Sequence, residues 1–414
     1  MWYDTHSYYV LYFISPKFST PFYKFFQKGV KIPVTVGIIC EYNPLHIGHK
    51  KQIDRIRETF GPETAIVCAM SGNFVQRGAP AIIDKSYRAK AAVISGADLV
   101  VELPVTISLS SAEGFAAGGV KILSKLCDCL CFGAETADPD VLMDTARMLL
   151  HPEFPPLLRQ KLETGKSFPA ARQAALEQLG MDGELLSQPN NILGVEYCKA
   201  ILTQSSSMRV FPIHREGSYH AEIADSENPS ATSVRNLMLM AYNWRGCVPK
   251  QVRAVFENAP LHSTAAGERA ILAKLRTMTD GEFEALPYGS EGLWRKFMHA
   301  CRQESTLEAV IAATKSKRYT RTRIDRMVMC AFLGITKEIL EAEVPYTRVL
   351  AFNDRGRDLL KQAKKEHSFI NTGEKAEHPF FRLEQRCGSL YGLFATEAPG
   401  APDAEDKSRI YYHK

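Results

Sequence analysis

The stretch GIICEYNPLHIGHK, residues 37–50, decides the fold of this chain. The apolar run Val34–Cys40 predicts a buried strand, and the string that starts at His46 predicts the opening of a helix over Gly48–Phe60. The asparagine–proline pair between them is typical of a turn. A strand that leads through a turn into a helix indicates a parallel α/β sheet, and such sheets bind ligands at the carboxyl ends of their strands.

The start of this predicted helix is a candidate phosphate site. Its N-terminus offers unpaired N–H groups and a partial positive charge, and Gly48 lets a phosphate or a purine approach the backbone closely. His46 and His49 are three residues apart, so their side chains share one face and can both hydrogen-bond phosphate oxygens. Fixed donors of this kind stabilise the charge that develops at an α-phosphate during displacement.

Two other interpretations of the histidine pair have to be weighed. Paired histidines are more often structural or surface residues, and two histidines can also bind zinc. The zinc interpretation lacks a Glu or Asp at the spacing of a metallopeptidase helix, so we predict no metal ligands. The complete His-Ile-Gly-His string, its strand–turn–helix setting and the preceding turn together favour the phosphate site.

A second motif, at residues 230–235, leads into a helical run over Asn236–Ala241. Ser230 and Thr232 are residue types that commonly serve only as helix caps. Arg235 is suited to bidentate contact with phosphate. Paired with the histidine motif, this segment predicts a second clamp on the phosphates.

The alternation of strand and helix continues through the first half of the chain. It implies βαβ units and a parallel sheet with helices on both faces. The further predicted strands are Ala65–Met70, Leu99–Leu103, Cys129–Phe132 and Met208–Ile213. The further predicted helices are Lys85–Ser95, Ser111–Leu126, Asp138–Leu150 and Asn191–Leu202.

With 414 residues, the chain has room for two or three domains. We predict an N-terminal extension over residues 1–33, outside the functional domain, and an α/β domain over residues 34–245. A helical domain over residues 246–340 follows. The remainder, residues 341–414, is predicted as a small α+β region with a strand at Tyr346–Phe352 and a helix at Asp354–Lys365.

Composition indicates an ordinary globular protein, with 45% hydrophobic and 23% charged residues. The net charge of +5 is compatible with an RNA partner without demonstrating one. The ten cysteines show no Cys-x-x-Cys spacing, and no segment is long and apolar enough for a membrane helix. We therefore predict a cytoplasmic protein in a reducing compartment. Cys127, Cys129 and Cys131 alternate, which favours one buried face of a strand over metal ligation.

A run of cations lies between Thr314 and Ile324, where no acidic residue occurs. Such runs are commonly a solvated surface, but a uniform positive field is also what binding to RNA phosphates requires. A tyrosine within the run can stack on a base. The predicted RNA-binding segment comprises Lys315, Lys317, Arg318, Tyr319, Arg321 and Arg323.

Several strings together resemble one protein family. The motifs at residues 46–49 and 230–235 resemble the nucleotidyltransferase superfamily, which forms adenylates and shares a fold with class I aminoacyl-tRNA synthetases. More narrowly, the chain from Val34 to near its C-terminus resembles the bacterial tRNA(Met) cytidine acetate ligase family. The strings that carry this resemblance are EYNP (41–44), MSGNFVQRG (70–78), GAD (96–98), ELP (102–104), FGAE (132–135), NNILG (190–194) and HR (214–215).

The resemblance implies a Rossmann-like nucleotidyltransferase domain and a two-step reaction. Acetate attacks the α-phosphate of ATP, giving acetyl-adenylate and pyrophosphate. The exocyclic amine of the wobble cytidine of elongator tRNA(Met) then attacks the acetyl carbon, giving N4-acetylcytidine and AMP. ATP with Mg²⁺ as its counter-ion, acetate and tRNA are the implied partners, with no membrane and no stable protein partner.

The same resemblance implies the residues of the site. His46, His49, Thr232 and Arg235 are implied as catalytic. The implied ATP-binding residues are Ile39, Cys40, Glu41, Tyr42, Asn43, Pro44, Leu45, His46, Ile47, Gly48, His49, Lys50, Lys51, Gln52, Gly133, Asn190, Arg215 and Ser230. Without the resemblance, a turn glycine, an N-cap and a solvated arginine are the simpler interpretations of Gly133, Asn190 and Arg215. The loop Ser71–Pro80 bounds the acetate pocket or holds the tRNA, and the sequence leaves both open.

Two rival functions belong to other classes. One is a small-molecule adenylyl- or cytidylyltransferase, which can be a single compact α/β domain and has no need of a long helical region with a basic run. The other is a non-catalytic RNA-binding protein with a vestigial nucleotide site, and the intact His46, His49, Thr232 and Arg235 argue against it.

Overall fold

The computed structural model describes residues 34–215, 228–316, 318–363, 368–371, 378–402 and 409–414. Val34–Lys414 forms one compact unit. The predicted extension over residues 1–33 and the predicted RNA contact Lys317 lie outside the described residues.

Ten strands occur in the described residues, and all five strands predicted in the first half of the chain are among them. They are β1 (Thr35–Cys40), β2 (Ala65–Ser71), β3 (Phe74–Val75), β4 (Ala79–Pro80), β5 (Leu99–Leu103), β6 (Cys129–Ala134), β7 (Arg209–His214), β8 (Thr347–Asn353), β9 (Phe369–Asn371) and β10 (Tyr411–His413).

The strands form a central sheet in the order β10-β8-β5-β2-β1-β6-β7, with β9 also paired to β8. β1 pairs in parallel with β2 and β6, and the parallel pairing continues to β5 and β7. The predicted parallel sheet is therefore confirmed, with β1 at its centre. The short strands β3 and β4 form a separate antiparallel pair within the loop Ser71–Pro80, which the sequence did not predict.

The helices of the described residues are α1 (Ile47–Phe60), α2 (Lys85–Ile94), α3 (Val105–Ser108), α4 (Ala112–Leu123), α5 (Pro139–Leu149), α6 (Phe154–Glu163), α7 (Phe168–Gln178), α8 (Pro189–Thr203), α9 (Ala231–Leu239), α10 (Arg253–Glu257), α11 (Thr264–Thr277), α12 (Asp280–Glu284), α13 (Leu293–Gln303), α14 (Leu307–Thr314), α15 (Arg321–Leu333), α16 (Lys337–Glu341), α17 (Asp354–Ala363) and α18 (Pro379–Tyr391). No strand lies between β7 and β8 in the described residues, so the helical stretch predicted there is observed. The predicted helix Asp354–Lys365 is described only as far as Ala363. Among the described residues, no helix combines the length and apolar character that crossing a bilayer requires.

Helices cover both faces of the sheet because side chains alternate along each strand. On β1, Ile39 packs into a core with α4, α5 and α8, whereas Val36 and Ile38 pack into a second core with α1 and α2. A third core joins α11, α13, α14, α15 and α18. Cys127, Cys129 and Cys131 are all buried, as predicted, but they do not share one face of a strand. Cys129 and Cys131 lie on β6 and pack into the second core, whereas Cys127 precedes β6 and packs into the first.

The C-terminal segment completes the central sheet, which the sequence did not predict. β8 is antiparallel to β5. The buried Asp98 carboxylate, at the start of β5, accepts hydrogen bonds from Asn353 Nδ2 (2.8 Å), Arg57 Nη2 (2.9 Å) and the backbone N–H of Ile66 (2.8 Å). The strand predicted at Tyr346–Phe352 therefore lies in the main sheet, and the domain boundaries at 245 and 340 stay predictions.

Gly119 permits close packing of α4 on β1, which gives a test of this core. A Cβ at this position would lie 2.6 Å from Ile39 Cδ1 and 2.9 Å from its Cγ1. We expect Gly119→Ala to lower the free energy of unfolding by about 1–3 kcal/mol, measured by urea denaturation. Gly281→Ala is the control, because Gly281 is exposed in α12 with open space around it. It should be neutral or stabilising by up to about 1 kcal/mol, and equal effects of the two changes would contradict the packing argument.

Candidate active site

β1 is the middle one of the five parallel strands β5-β2-β1-β6-β7 and leads into α1, so the two histidines lie at the carboxyl edge of these strands. His46 is the N-cap residue of α1, and His49 lies in its first turn. Their ring centroids are 3.8 Å apart, and the ring of Tyr42 lies 4.9 Å from that of His49. The structure thus brings the two imidazoles together on one face, as their spacing predicts.

The two imidazoles cap the helix reciprocally. The backbone N–H of Gly48 donates to His46 Nδ1 at 3.1 Å, and the backbone N–H of His46 donates to His49 Nδ1 at 3.2 Å. These caps satisfy N–H groups that have no partner within the helix. They also require that Nδ1 of each ring is unprotonated, so a neutral ring carries its proton on Nε2.

The charge state of both rings follows from their surroundings. Burial lowers the pKa of His46 to about 3, and the nearby charges of Arg215 and Arg235 act in the same direction. Burial also lowers the pKa of His49 well below its ordinary value, with contributions from His46 and Arg215. Both imidazoles are therefore neutral at pH 7, and each has an Nε2–H that the caps do not use.

Gly48 is needed for a reason that the sequence did not reveal. A Cβ at this position would lie 2.9 Å from His46 Cε1 and 3.1 Å from its Nδ1. A side chain there would therefore push the His46 ring away from its capping position. The close approach that requires glycine is to the imidazole itself, whatever ligand binds beside it.

Arg215 is held at this edge by a chain of hydrogen bonds. Its Nη1 donates to Asn190 Oδ1 at 3.0 Å. Asn190 Nδ2 in turn donates to Glu135 Oε1 at 2.6 Å, and the backbone N–H of Asn191 donates to Glu135 Oε2 at 2.8 Å. The Glu135 carboxylate thus caps α8 and fixes the amide of Asn190, so that its oxygen faces Arg215. Gly133 lies near the end of β6, and among the described residues only Arg215 Cβ comes within 4 Å of an added Cβ, at 3.9 Å.

Arg235 joins the second motif to the first. Its Nη1 donates to the carbonyl oxygen of Asn43 at 2.8 Å, and its Nη2 donates to Thr232 Oγ1 at 2.9 Å. The predicted clamp residues therefore lie beside the histidine motif. The Ser230 hydroxyl accepts from the backbone N–H of Ser233 at 2.9 Å, which is the capping role that Ser at a helix start commonly has.

The remaining residues of the predicted ATP site divide into buried and partly exposed side chains. The side chains of Ile39, Tyr42 and Leu45 are buried, so only their backbone atoms are suited to ligand contact. Asn43 Oδ1 accepts from the backbone N–H of Ile82 at 2.8 Å, which orders the turn. The remaining members of the stretch, with their side chains partly buried or exposed, are Cys40, Glu41, Ile47, Lys50, Lys51 and Gln52, and Pro44 is buried.

Comparison with known proteins places this chain in a family. The sequence model of the HIGH Nucleotidyl Transferase family matches residues 34–406. The tRNA(Met) cytidine acetate ligase of Clostridium novyi is 38% identical over 351 residues, which cover 80% of this chain and 88% of that protein. The chain belongs to the tRNA(Met) cytidine acetate ligase family. Its relative of the same name from Clostridium acetobutylicum is 36% identical over 355 residues, again 80% and 88% of the two chains.

Solved structures agree with membership of the acetate ligase family. The crystal structure of Thermotoga maritima TmcAL without ligand superposes with a TM-score of 0.83 at 29% identity, covering 92% of this chain and 99% of that one. The same protein bound with alpha-thio ATP gives a TM-score of 0.81 at 29% identity, covering 92% and 100%. The predicted fold class is therefore confirmed across both the sheet and the helical region.

Sequence reasoning missed two residues that order the site of this acetate ligase family member. Glu135 was visible only as part of a family string, and its partner Asn190 is 55 positions away. Arg88 is fully buried. Its guanidinium donates to the carbonyl oxygens of Glu41 (2.6 Å) and Ser71 (3.1 Å), and thereby ties together the ends of β1 and β2. A charged residue inside a predicted helix gives no sign of such a role.

The loop Ser71–Pro80 connects this edge with the helical region. The backbone N–H of Gln76 donates to Glu41 Oε1 at 2.8 Å. Gly78, with φ +77°, lies so close to α15 that a Cβ would be 2.4 Å from the backbone nitrogen of Arg326. The loop is therefore ordered by contacts on both sides.

The expectation of a uniform positive field over the basic run is wrong. Arg318 Nη2 donates to Glu291 at 2.7 Å, and Tyr319 Oη donates to the same carboxylate at 3.0 Å. Arg321 pairs with Glu308 at 2.7 Å and with Asp325 at 3.0 Å. Glu291 and Glu308 come from other segments of the chain, so a local window of sequence does not show them. These pairs are largely exposed, and exposed pairs are weak enough to exchange for phosphate.

The described residues were searched for side chains that could together bind a metal ion. Among them, no group of three or more His, Cys, Asp or Glu side chains is arranged to hold a metal ion. His46 and His49 have each other and two arginines as neighbours, which is a cationic setting that suits an anionic ligand.

Stability against pH tests the buried His46 ring. Its pKa of about 3 lies below the ordinary value of about 6.5. As the pH falls below about 6.5, the unfolded chain takes up a proton on this ring and the folded protein does not. The free energy of unfolding therefore decreases as the pH is lowered from about 6.5 to about 3. His46→Asn keeps a capping oxygen and removes this titration. Between pH 7 and pH 5, we expect urea denaturation to show wild type losing about 1–2 kcal/mol more than the variant. Parallel losses would contradict the buried neutral imidazole.

Proposed function

We propose that this protein is an ATP-dependent ligase that joins acetate to the exocyclic amine of the wobble cytidine of elongator tRNA(Met). The observation that carries the proposal is the cluster at the carboxyl edge of the sheet. There, two neutral imidazoles with protonated Nε2 atoms lie beside the guanidinium groups of Arg215 and Arg235. The relatives of this name and the ATP analogue bound by the Thermotoga maritima relative support it.

The first step suits this cluster. An acetate oxygen attacks the α-phosphorus of ATP, the bond to the pyrophosphate oxygen breaks, and acetyl-adenylate forms. Negative charge on the phosphate oxygens meets the Nε2–H donors of His46 and His49 and the fixed charge of Arg215 and Arg235. Because the caps hold both rings before any ligand arrives, little reorganisation accompanies the reaction.

The second step transfers the acetyl group to RNA. The cytidine amine attacks the acetyl carbon, AMP leaves, and the amine nitrogen loses one proton. Activation is required because a free carboxylate is unreactive towards a weakly nucleophilic aromatic amine. We assign Mg²⁺ to the ATP phosphates as their counter-ion, and we place the reaction in the cytoplasm, where ATP and tRNA occur together.

One incubation separates this proposal from its rivals. The purified protein is mixed with ATP, labelled acetate and bulk tRNA, and the nucleosides are analysed by mass spectrometry. Label in N4-acetylcytidine supports the ligase. Pyrophosphate release without labelled RNA supports a small-molecule nucleotidyltransferase, and neither product supports a non-catalytic RNA-binding protein.

The role of the histidines is tested without RNA. We expect His46→Ala and His49→Ala each to reduce acetate-dependent exchange of pyrophosphate into ATP by at least about a hundredfold, the usual effect of removing one fixed donor. Ser263→Ala is the control, because Ser263 caps α11 through the N–H of Ala266 (3.2 Å) and its loss removes a helix cap away from this cluster. Unimpaired exchange in the histidine variants would refute their assignment.

The proposed RNA-binding segment is tested by salt dependence. We expect Arg318→Ala with Arg321→Ala to weaken tRNA binding and to reduce the slope of log K against log salt by about 1–2, since about one counter-ion is released per phosphate contact. Acetate-dependent pyrophosphate exchange should be unchanged.

The matched control for this pair removes the acidic partners instead. Glu291→Gln with Glu308→Gln breaks the same ion pairs but leaves both arginines in place. It should retain or strengthen tRNA binding. Equal weakening by both double variants would mean that the ion pairs serve the fold, and that the segment does not contact RNA.

A further inference from the structure

A large cavity lies beside the basic run, away from the histidine cluster. Its volume is about 890 Å³, within the range of ligand pockets. One wall is the segment from Pro104 to Ile122, which follows β5. The opposite walls are residues 284–294 of the helical region and residues 337–347, which lead into β8.

The cavity is continuous with the predicted RNA-binding segment. Arg323 belongs to that segment and lines the cavity. Its guanidinium donates to the carbonyl oxygen of Tyr288 at 2.8 Å and to Ser290 Oγ at 2.9 Å, and it lies 5.0 Å from the ring of Tyr319. Glu291, which pairs with Arg318, is also a lining residue.

One residue, Gln76, links the cavity wall to the proposed reaction site. Ser110 lines it, and the carbonyl oxygen of Ser110 accepts from Gln76 Nε2 at 3.4 Å. The backbone N–H of the same Gln76 donates to Glu41, in the turn between β1 and α1. A single residue of the loop Ser71–Pro80 therefore bridges the cavity wall and the strand end that carries the histidine motif.

The lining suits bases better than phosphates. Among the described residues, four basic and four acidic side chains line the cavity, so their formal charges balance. Tyr288, Trp294 and Tyr346 contribute aromatic rings on which bases can stack. Thr106 also lines it and is buried, and its hydroxyl has no hydrogen-bond partner among the described residues. A buried hydroxyl without a partner costs stability, and a base edge would satisfy it.

We propose that this cavity holds unpaired bases of the RNA substrate next to the reacting cytidine, while the backbone phosphates follow the basic run. The inference rests on the proposed function. Single-stranded loops are recognised by splaying their bases into pockets of this composition. The cavity thereby contributes to the choice of RNA, and the histidine cluster contributes to the chemistry.

Ala342→Trp tests the proposal by filling the cavity. Ala342 is exposed and lines it, so the larger side chain does not disturb a core. We expect KM for a tRNA(Met) transcript to rise at least about tenfold, since losing the stacking of one base has an effect of that size. Acetate-dependent pyrophosphate exchange should not change. Ala170→Trp, on the exposed surface of α7, is the matched control and should leave both quantities unchanged.

Thr106→Val gives a second readout. Replacing the unpartnered hydroxyl with a methyl group should leave Tm unchanged or raise it, while KM for the transcript rises. Wild-type KM in both Ala342→Trp and Thr106→Val would overturn the inference, as would a loss of exchange in Ala342→Trp, which would make the cavity a small-molecule site. If wild type itself shows no acetate-dependent exchange and no acetylated transcript, the proposed function fails instead.

Discussion

The candidate site depends on two hydrogen bonds at the start of α1, in which backbone N–H groups donate to the Nδ1 atoms of His46 and His49. A helix N-terminus must satisfy these N–H groups in some way, and most helices use a serine, threonine or aspartate. Here the acceptor is an imidazole, so the same hydrogen bond that caps the start of the helix also decides which ring nitrogen carries the proton. Each of these hydrogen bonds therefore both caps the helix and leaves the Nε2–H of the ring as a donor.

The guanidinium groups have a double effect on this site. Arg215 adds to burial in keeping both histidines neutral, and Arg235 does so for His46. The two guanidinium groups also contribute positive charge to this edge of the sheet, as the proposed binding of a polyphosphate requires. Each arginine is held by a neutral oxygen, Asn190 Oδ1 for the first and the Asn43 carbonyl for the second. These neutral acceptors help to orient the two guanidinium groups at the edge of the sheet that carries the imidazoles.

The sequence predicted those parts of the molecule that are encoded locally. The strand β1, the helix α1 and the pairing of His46 with His49 follow from periodicity and from spacing within one turn. The rest depends on contacts between distant segments. Glu135 orients Asn190 across 55 positions, and Glu291 and Glu308 reach the basic run from outside it. A run of cations looks uniform in the sequence, whereas the fold brings counter-charges to it from a turn, at Glu291, and from α14, at Glu308.

The position of β8 has a consequence for the order in which the chain can fold. β5 has its N–H and C=O groups on one side satisfied by β2 and on the other by β8, which is synthesised long after it. While the ribosome is still making the helical region, the nascent sheet presents β5 as an open edge, and an open edge is a template for pairing with other chains. Asp98 also lacks its partner Asn353, and Glu102 its partner Arg348, until the last part of the chain has been synthesised. The strands of the first half of the chain are therefore not a separable piece, because β8 and β10 belong to the same sheet.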